Sequence, residues 1–97
     1  MRELEQLQQW YAAQCDGDWE HTFGVSIATL DNPGWTISVD LEGTELEGLA
    51  YSAVNRTRSE TEWIQCAVTD RQWCGAGGPT DLEELIREFL LWAGQQS

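Results

Sequence analysis

The stretch Trp35-Thr36-Ile37-Ser38-Val39-Asp40-Leu41-Glu42 alternates apolar and polar residues without a break. In an extended chain successive side chains point to opposite faces, so Trp35, Ile37, Val39 and Leu41 share one face, with Thr36, Ser38, Asp40 and Glu42 on the other. Such a strand is buried on one side only, which requires a sheet with a covering layer on its apolar face. Phe23, Val25 and Ile27 show the same period just upstream. Asp31-Asn32-Pro33-Gly34 separates the two runs, and the sequence predicts a type II turn there, with Pro presetting one central position and Gly taking the positive φ of the next.

The ends of the chain follow a helical period instead. Leu4, Leu7 and Tyr11, with Trp10 beside them, predict an amphipathic helix over about residues 3–14. Near the C-terminus, Leu82, Leu85, Ile86, Phe89, Leu90 and Ala93 form one apolar stripe, preceded by Thr80-Asp81-Leu82-Glu83 at capping-box spacing and followed by Gly94 as the expected stop. A third strand is expected over Leu49–Asn55 and a fourth from Trp63 through Ile64, Cys66 and Val68. A turn at Asp70-Arg71 would lead into a short edge strand containing Trp73, and Gly75–Pro79 reads as a connector. The expected architecture is α+β: an N-terminal helix, an antiparallel meander of four to five strands, and a C-terminal helix packed on the sheet. Residues 1–97 form one domain, because a chain of this length supports a single core.

Charge narrows the partner class. Asp and Glu number 17 against 5 basic residues, all Arg, for a net charge of −12. That field repels phosphate backbones and anionic lipid, so nucleic acid and membrane are excluded as partners, and it attracts a basic protein. No apolar run reaches the roughly 20 residues needed to cross a bilayer, the N-terminus lacks the pattern of a signal peptide, and three cysteines do not close a disulfide framework, so the expected compartment is the cytoplasm. Six Trp exceed what the expected core takes in, and one or two are expected to mark an interface.

Cys15-Asp16-Gly17-Asp18-Trp19-Glu20-His21 concentrates the side chains that could carry chemistry. An EF-hand loop counted from Asp16 would need Gly at position 21 and Glu at position 27, which hold His and Ile. Zinc would need Cys and His ligands closer together than Cys15 and His21 are to Cys66 and Cys74. The alternate carboxylates could serve acid and base catalysis, but the favoured reading is that Trp19 anchors the core, Asp16 and Asp18 organise the turn after the helix, and His21 is an ordinary strand residue. No cofactor is expected. Cys66 and Arg71 have the terminal spacing of a rhodanese persulfide loop, with intervening residues that read as strand.

"WYAAQCDGDWEHTFGVSIATLDNPGW", followed by "EWIQC" and "GAGGPTDLEELIREFLLWA", resembles the immunity protein 53 family, found beside toxin genes in bacterial polymorphic toxin systems, over nearly the whole chain. The resemblance implies a protein that binds and neutralises a cognate toxin rather than an enzyme. Together with the charge it points to a basic toxin docked on acidic residues: Asp40, Glu42, Glu45 and Glu47 as one candidate patch, Asp16, Asp18 and Glu20 as another. The alternatives are a small rhodanese-like sulfurtransferase using Cys66 or Cys15, and an acidic mimic of nucleic acid that occupies a basic protein.

Overall fold

A computed structural model describes residues 2–95. The element order is α1 (Glu3–Gln14), α2 (Trp19–Thr22), β1 (Val25–Leu30), β2 (Gly34–Asp40), β3 (Val54–Thr57), β4 (Trp63–Thr69), β5 (Gln72–Gly77) and α3 (Leu82–Gln95). The chain is α+β as expected, with five antiparallel strands and α3 packed against both the sheet and α1.

The strand order is β1-β2-β5-β4-β3, which departs from a plain meander at one point: β5 lies between β2 and β4. The Trp73 strand is therefore the central strand and not an edge. Two glycines within it, expected to end the strand, instead make room for neighbours. A Cβ on Gly75 would stand 2.9 Å from the Trp73 ring and 3.2 Å from Ile37, so the indole lies over a bare stretch of its own strand. β3 begins later than expected, at Val54, because the residues before it have other uses. Tyr51 packs edge-on against Trp92 at 5.1 Å between ring centroids, and the Ala50 carbonyl accepts the Trp92 indole N–H at 3.1 Å.

Turn chemistry differs between the β1–β2 and β4–β5 hairpins. Gly34 has no positive φ and already belongs to β2, paired with Leu30. Its place is fixed by close approach, since a Cβ there would lie 2.4 Å from the Gly77 carbonyl oxygen. At the other hairpin Asp70 and Arg71 take φ of 51° and 62° between paired Thr69 and Gln72. This is the left-handed pair that a two-residue hairpin turn demands, occupied here without glycine.

Apolar side chains of β2, β4 and β5 meet those of α1 and α3 on one face. Ile37, Val39, Ile64, Trp73, Leu85 and Phe89 are each at most 1% exposed. Trp73 packs on Phe89 at 5.4 Å, and Trp10 of α1 reaches the same Phe89 at 5.0 Å. No Trp among the described residues is fully exposed: Trp19, Trp73 and Trp92 are buried, while Trp10, Trp35 and Trp63 are half-buried. Trp10, Trp19, Trp73 and Trp92 stack within the aromatic cluster, whereas the half-buried Trp35 and Trp63 lie outside its ring contacts.

Both helices adjust the expected pattern. In α1 the buried positions are Glu3 and Leu7, whereas Leu4 is 58% exposed. Glu3 displaces Leu4 because its Oε2 accepts a hydrogen bond from Arg87 Nε of α3 at 3.1 Å. Burial pushes the Glu3 carboxyl pKa up, but the Arg87 guanidinium together with Glu3's own backbone N–H makes the net shift downward. In α3 the helix starts at Leu82 and runs past Gly94. Asp81, not Thr80, therefore precedes the first turn, and its Oδ2 accepts the Trp63 N–H at 2.9 Å, tying the helix to β4. On the far edge, Arg56 of β3 pairs with Glu84 and Glu88 of α3, and Arg58 pairs with Glu84. Those guanidiniums, Arg58 foremost, hold the Glu84 carboxyl below its ordinary range.

The sheet's other face carries Thr36, Ser38, Gln65, Ala67, Cys74 and Ala76, and no helix among the described residues covers it. Its small side chains leave a shallow trough of about 640 Å³.

Candidate functional site

The acidic motif folds as a capped turn. Asp16 Oδ1 accepts the backbone N–H groups of Asp18 and Trp19 at 2.9 and 3.0 Å, and Glu20 reaches back to accept those of Asp16 and Gly17 at 3.0 and 2.9 Å. This reciprocal arrangement ties down the N–H groups that lead into α2 and the first one of the helix itself, and Gly17 supplies the left-handed residue at φ 95°. Amide dipoles favour the ionised carboxylates: the Trp19 and Asp18 N–H groups hold Asp16 below its ordinary pKa, and Glu20's own N–H, with those of Asp16 and Gly17, does the same for Glu20. His21 stands exposed on this turn rather than on a strand, which begins only at Val25.

Trp19 then joins the motif to a distant segment. Its ring is buried, and its indole N–H donates to the Glu42 carbonyl at 2.7 Å. Leu41 and Leu46 anchor that second loop in the core, and Glu47 accepts the Gly43 N–H at 3.1 Å. The two candidate patches, remote in sequence, thus occupy one end of the molecule.

The seven carboxylates do not play equal parts there. Asp40 is half-buried at the end of β2, with one oxygen accepting the Gly24 N–H at 2.9 Å and the other the Gln72 amide at 2.7 Å. Asp16, Glu20 and Glu47 also accept internal hydrogen bonds, and Glu42 stands 3.4 Å from Arg71. Asp18 and Glu45 are exposed, and among the described residues neither side chain has a hydrogen-bond or ion-pair partner.

Cys66 lies in β4 at 2% exposure. Residues 66–69 are paired in register with β5 and residues 70 and 71 form its turn, so the backbone donors needed for a persulfide cradle are spent in the sheet. Burial, with a contribution from the Glu88 charge, pushes the thiol up to about 11. Cys74 faces the opposite side of the sheet, and all three cysteines are unpaired thiols. Iodoacetamide at pH 7 is accordingly expected to modify Cys15 and Cys74 in the folded chain and Cys66 only after denaturation, because the thiolate is the nucleophile. Peptide mapping of the labelled protein checks this; fast labelling of Cys66 would contradict it.

Residues 4–94 match the family model of immunity protein 53. The chain belongs to that family. Neither the curated proteins nor the solved structures hold a match to it. Membership in the immunity protein 53 family brings a cognate toxin as partner and neutralisation by binding as the implied function, and immunity proteins are in general inhibitors without enzymatic activity. No helix among the described residues of this immunity protein is long and apolar enough to cross a membrane.

The expectation that Asp16 organises the turn after the helix holds, but the Asp18 side chain has no partner among the described residues, and the backbone contacts of Glu20, Asp40 and Glu47 went unread. Spacing was the available signal: Asp16 and Glu20 bracket one helical turn, as reciprocal caps do. Sequence reasoning also missed the exposed outer edge of β1, whose mark in the sequence is an uncharged run from Phe23 to Leu30 within a strongly charged chain.

Proposed function

We propose that this immunity protein neutralises one cognate toxin by forming a stoichiometric complex in the cytoplasm, and that the acidic end of the molecule steers a basic toxin into place. The observation that supports this reading is the Trp19–Glu42 hydrogen bond, which gathers Asp16, Asp18, Glu20, Asp40, Glu42, Glu45 and Glu47 onto one end of a chain of net charge −12. Clustered carboxylates of one sign raise the local concentration of a cationic partner and accelerate encounter more than they tighten the final complex. Asp18 and Glu45 are the steering residues, because their charges are not committed to the fold. Asp16, Glu20 and Asp40 contribute field but also hold the backbone.

A nucleic-acid mimic would spread carboxylates at phosphate-like spacing over an extended face. Of the seven candidate carboxylates here, Asp16, Glu20, Asp40 and Glu47 accept internal hydrogen bonds and so are not laid out as a phosphate-like row, which favours a single protein partner. A thiol transferase is disfavoured by the buried, sheet-paired Cys66.

The test is stopped-flow association of the Asp18→Lys/Glu45→Lys variant with the toxin encoded by the adjacent gene. Association is expected to slow by roughly tenfold at low salt, and the difference should shrink as the Debye length falls below about 5 Å. An unchanged rate at low salt would remove steering from the account.

A further inference from the structure

We propose that the outer edge of β1 is the toxin-docking edge, where a strand of the toxin pairs antiparallel or parallel with Val25–Leu30 and extends the sheet. The proposal rests on the reading of this chain as a toxin-binding immunity protein and names the surface that does the binding.

The two edges of the sheet are built differently. β3, at one end, is four residues long, carries Arg56, and is clasped to α3 by its ion pairs with Glu84 and Glu88. Short length, charge and covering are the usual means of stopping an edge from recruiting another strand. β1, at the other end, has none of these. It is six residues of Val-Ser-Ile-Ala-Thr-Leu, with no charge and no Pro, in unbroken register with β2 from Val25↔Val39 to Leu30↔Gly34.

The hydrogen-bonding groups on that edge can be placed. The Asp40 N–H donates to the Gly24 carbonyl at 3.0 Å, which makes Gly24 and Asp40 a hydrogen-bonded pair. Pairs alternate along an antiparallel ladder, so Ser26, Ala28 and Leu30 bond inward to β2 while the N–H and C=O groups of Val25, Ile27 and Thr29 point outward. These outward groups are the template that an added strand reads.

Side chains beside the edge favour an apolar contact. Ile27 is 39% exposed and Tyr11 of α1 is 37% exposed. Between α1 and β1 runs a groove of about 260 Å³ lined by Leu7, Gln8, Tyr11, Gly24 and Val25, which would receive an alternate apolar residue of the incoming strand. Charge decides between a toxin strand and a second copy. Two copies of a chain at −12 repel, whereas the acidic turn at 16–20, a few residues before β1, suits a strand flanked by Lys or Arg. The occupant is therefore an uncharged, alternately apolar toxin strand with a basic flank.

The experiment measures the purified toxin encoded by the adjacent gene against wild type, Thr29→Pro and Ile27→Lys, by calorimetry and by amide hydrogen exchange. Proline at 29 removes an outward N–H that the fold does not use, and lysine at 27 blunts the edge while leaving the backbone whole. The expected result is that the amides of Val25, Ile27 and Thr29 exchange fast in the isolated chain and slowly in the complex. Both variants should melt within a few degrees of wild type yet bind at least roughly a hundredfold more weakly; if Thr29→Pro fails to fold, Ile27→Lys carries the comparison. A wild-type complex in which those amides stay fast and the variants bind normally would overturn the docking edge and leave toxin binding standing. Absence of any wild-type complex would overturn the toxin-binding function itself, and the docking edge with it. Self-association of wild type that Thr29→Pro abolishes would assign the edge to a second copy and overturn the proposal.

Discussion

Trp73→Ala is expected to cost about 3–5 kcal/mol of folding stability, the range for deleting a fully buried large aromatic. Trp73 has no exposed surface and sits in the central strand, where Phe89 of α3 and Tyr51 of the β2–β3 connection pack on its indole. Its removal opens a cavity where sheet and helix layers meet, and Gly75 beside it has no side chain with which to fill the space. A domain of this size has a total stability of roughly 5–15 kcal/mol, so the variant should be at best marginally folded near 37 °C. Urea denaturation followed by fluorescence of the remaining tryptophans measures the loss. A cost below about 1 kcal/mol would mean that the core is not organised around this ring.

Gly78→Ala is the second large effect, by overcrowding rather than by a cavity. A Cβ at residue 78 would lie 2.0 Å from the Thr61 carbonyl oxygen and 2.9 Å from Asp81 Oδ2. Neither neighbour can yield cheaply. The Gly78 N–H donates to the Trp63 carbonyl, and Asp81 is held by the Trp63 N–H, so a displaced Gly78 drags the start of β4 and the start of α3 with it. The expected cost is about 3 kcal/mol, at the upper end for overpacking, because the obstructing atom is backbone. Gly94→Ala provides the contrast, since nothing stands within 4 Å of its Cβ position and Ala is the better helix former by about 1 kcal/mol. Thermal melts of the pair check both; equal melting temperatures would show that the Gly75–Gly78 run is spacing and not packing.

How far the fold could be read in advance depended on whether a signal was local. The α3 stripe and the alternation in β2 are properties of short windows, and both elements form where periodicity places them. The central position of β5 is not local. It arises because Trp73 needs Phe89 and Tyr51 around it and because Gly75 and Gly77 let β2 and β4 close in, none of which is visible in a glycine-rich stretch read alone. Leu4 and Glu3 show the same limit. Hydropathy put Leu4 inward, but Arg87, 84 residues away, gives Glu3 a partner and so the buried place.

The acidic site was legible in kind and not in detail. Counting carboxylates located Asp16, Asp18 and Glu20, but counting cannot tell a carboxylate that faces solvent from one that caps its own backbone. Asp40 makes the point: its alternation correctly places it off the apolar face, and there both its oxygens are taken up by Gly24 and Gln72. The meeting of the 16–20 and 42–47 segments depends on one indole N–H bridging 23 positions, which spacing does not encode.

The central claim, that this immunity protein acts by holding its toxin in a complex, is tested most directly by mixing the purified chain with its cognate toxin and measuring molecular mass in solution together with toxin activity. A one-to-one complex whose formation abolishes that activity at equimolar ratio is the predicted result. Full toxin activity in the presence of excess chain, with the two proteins sedimenting separately, would contradict it.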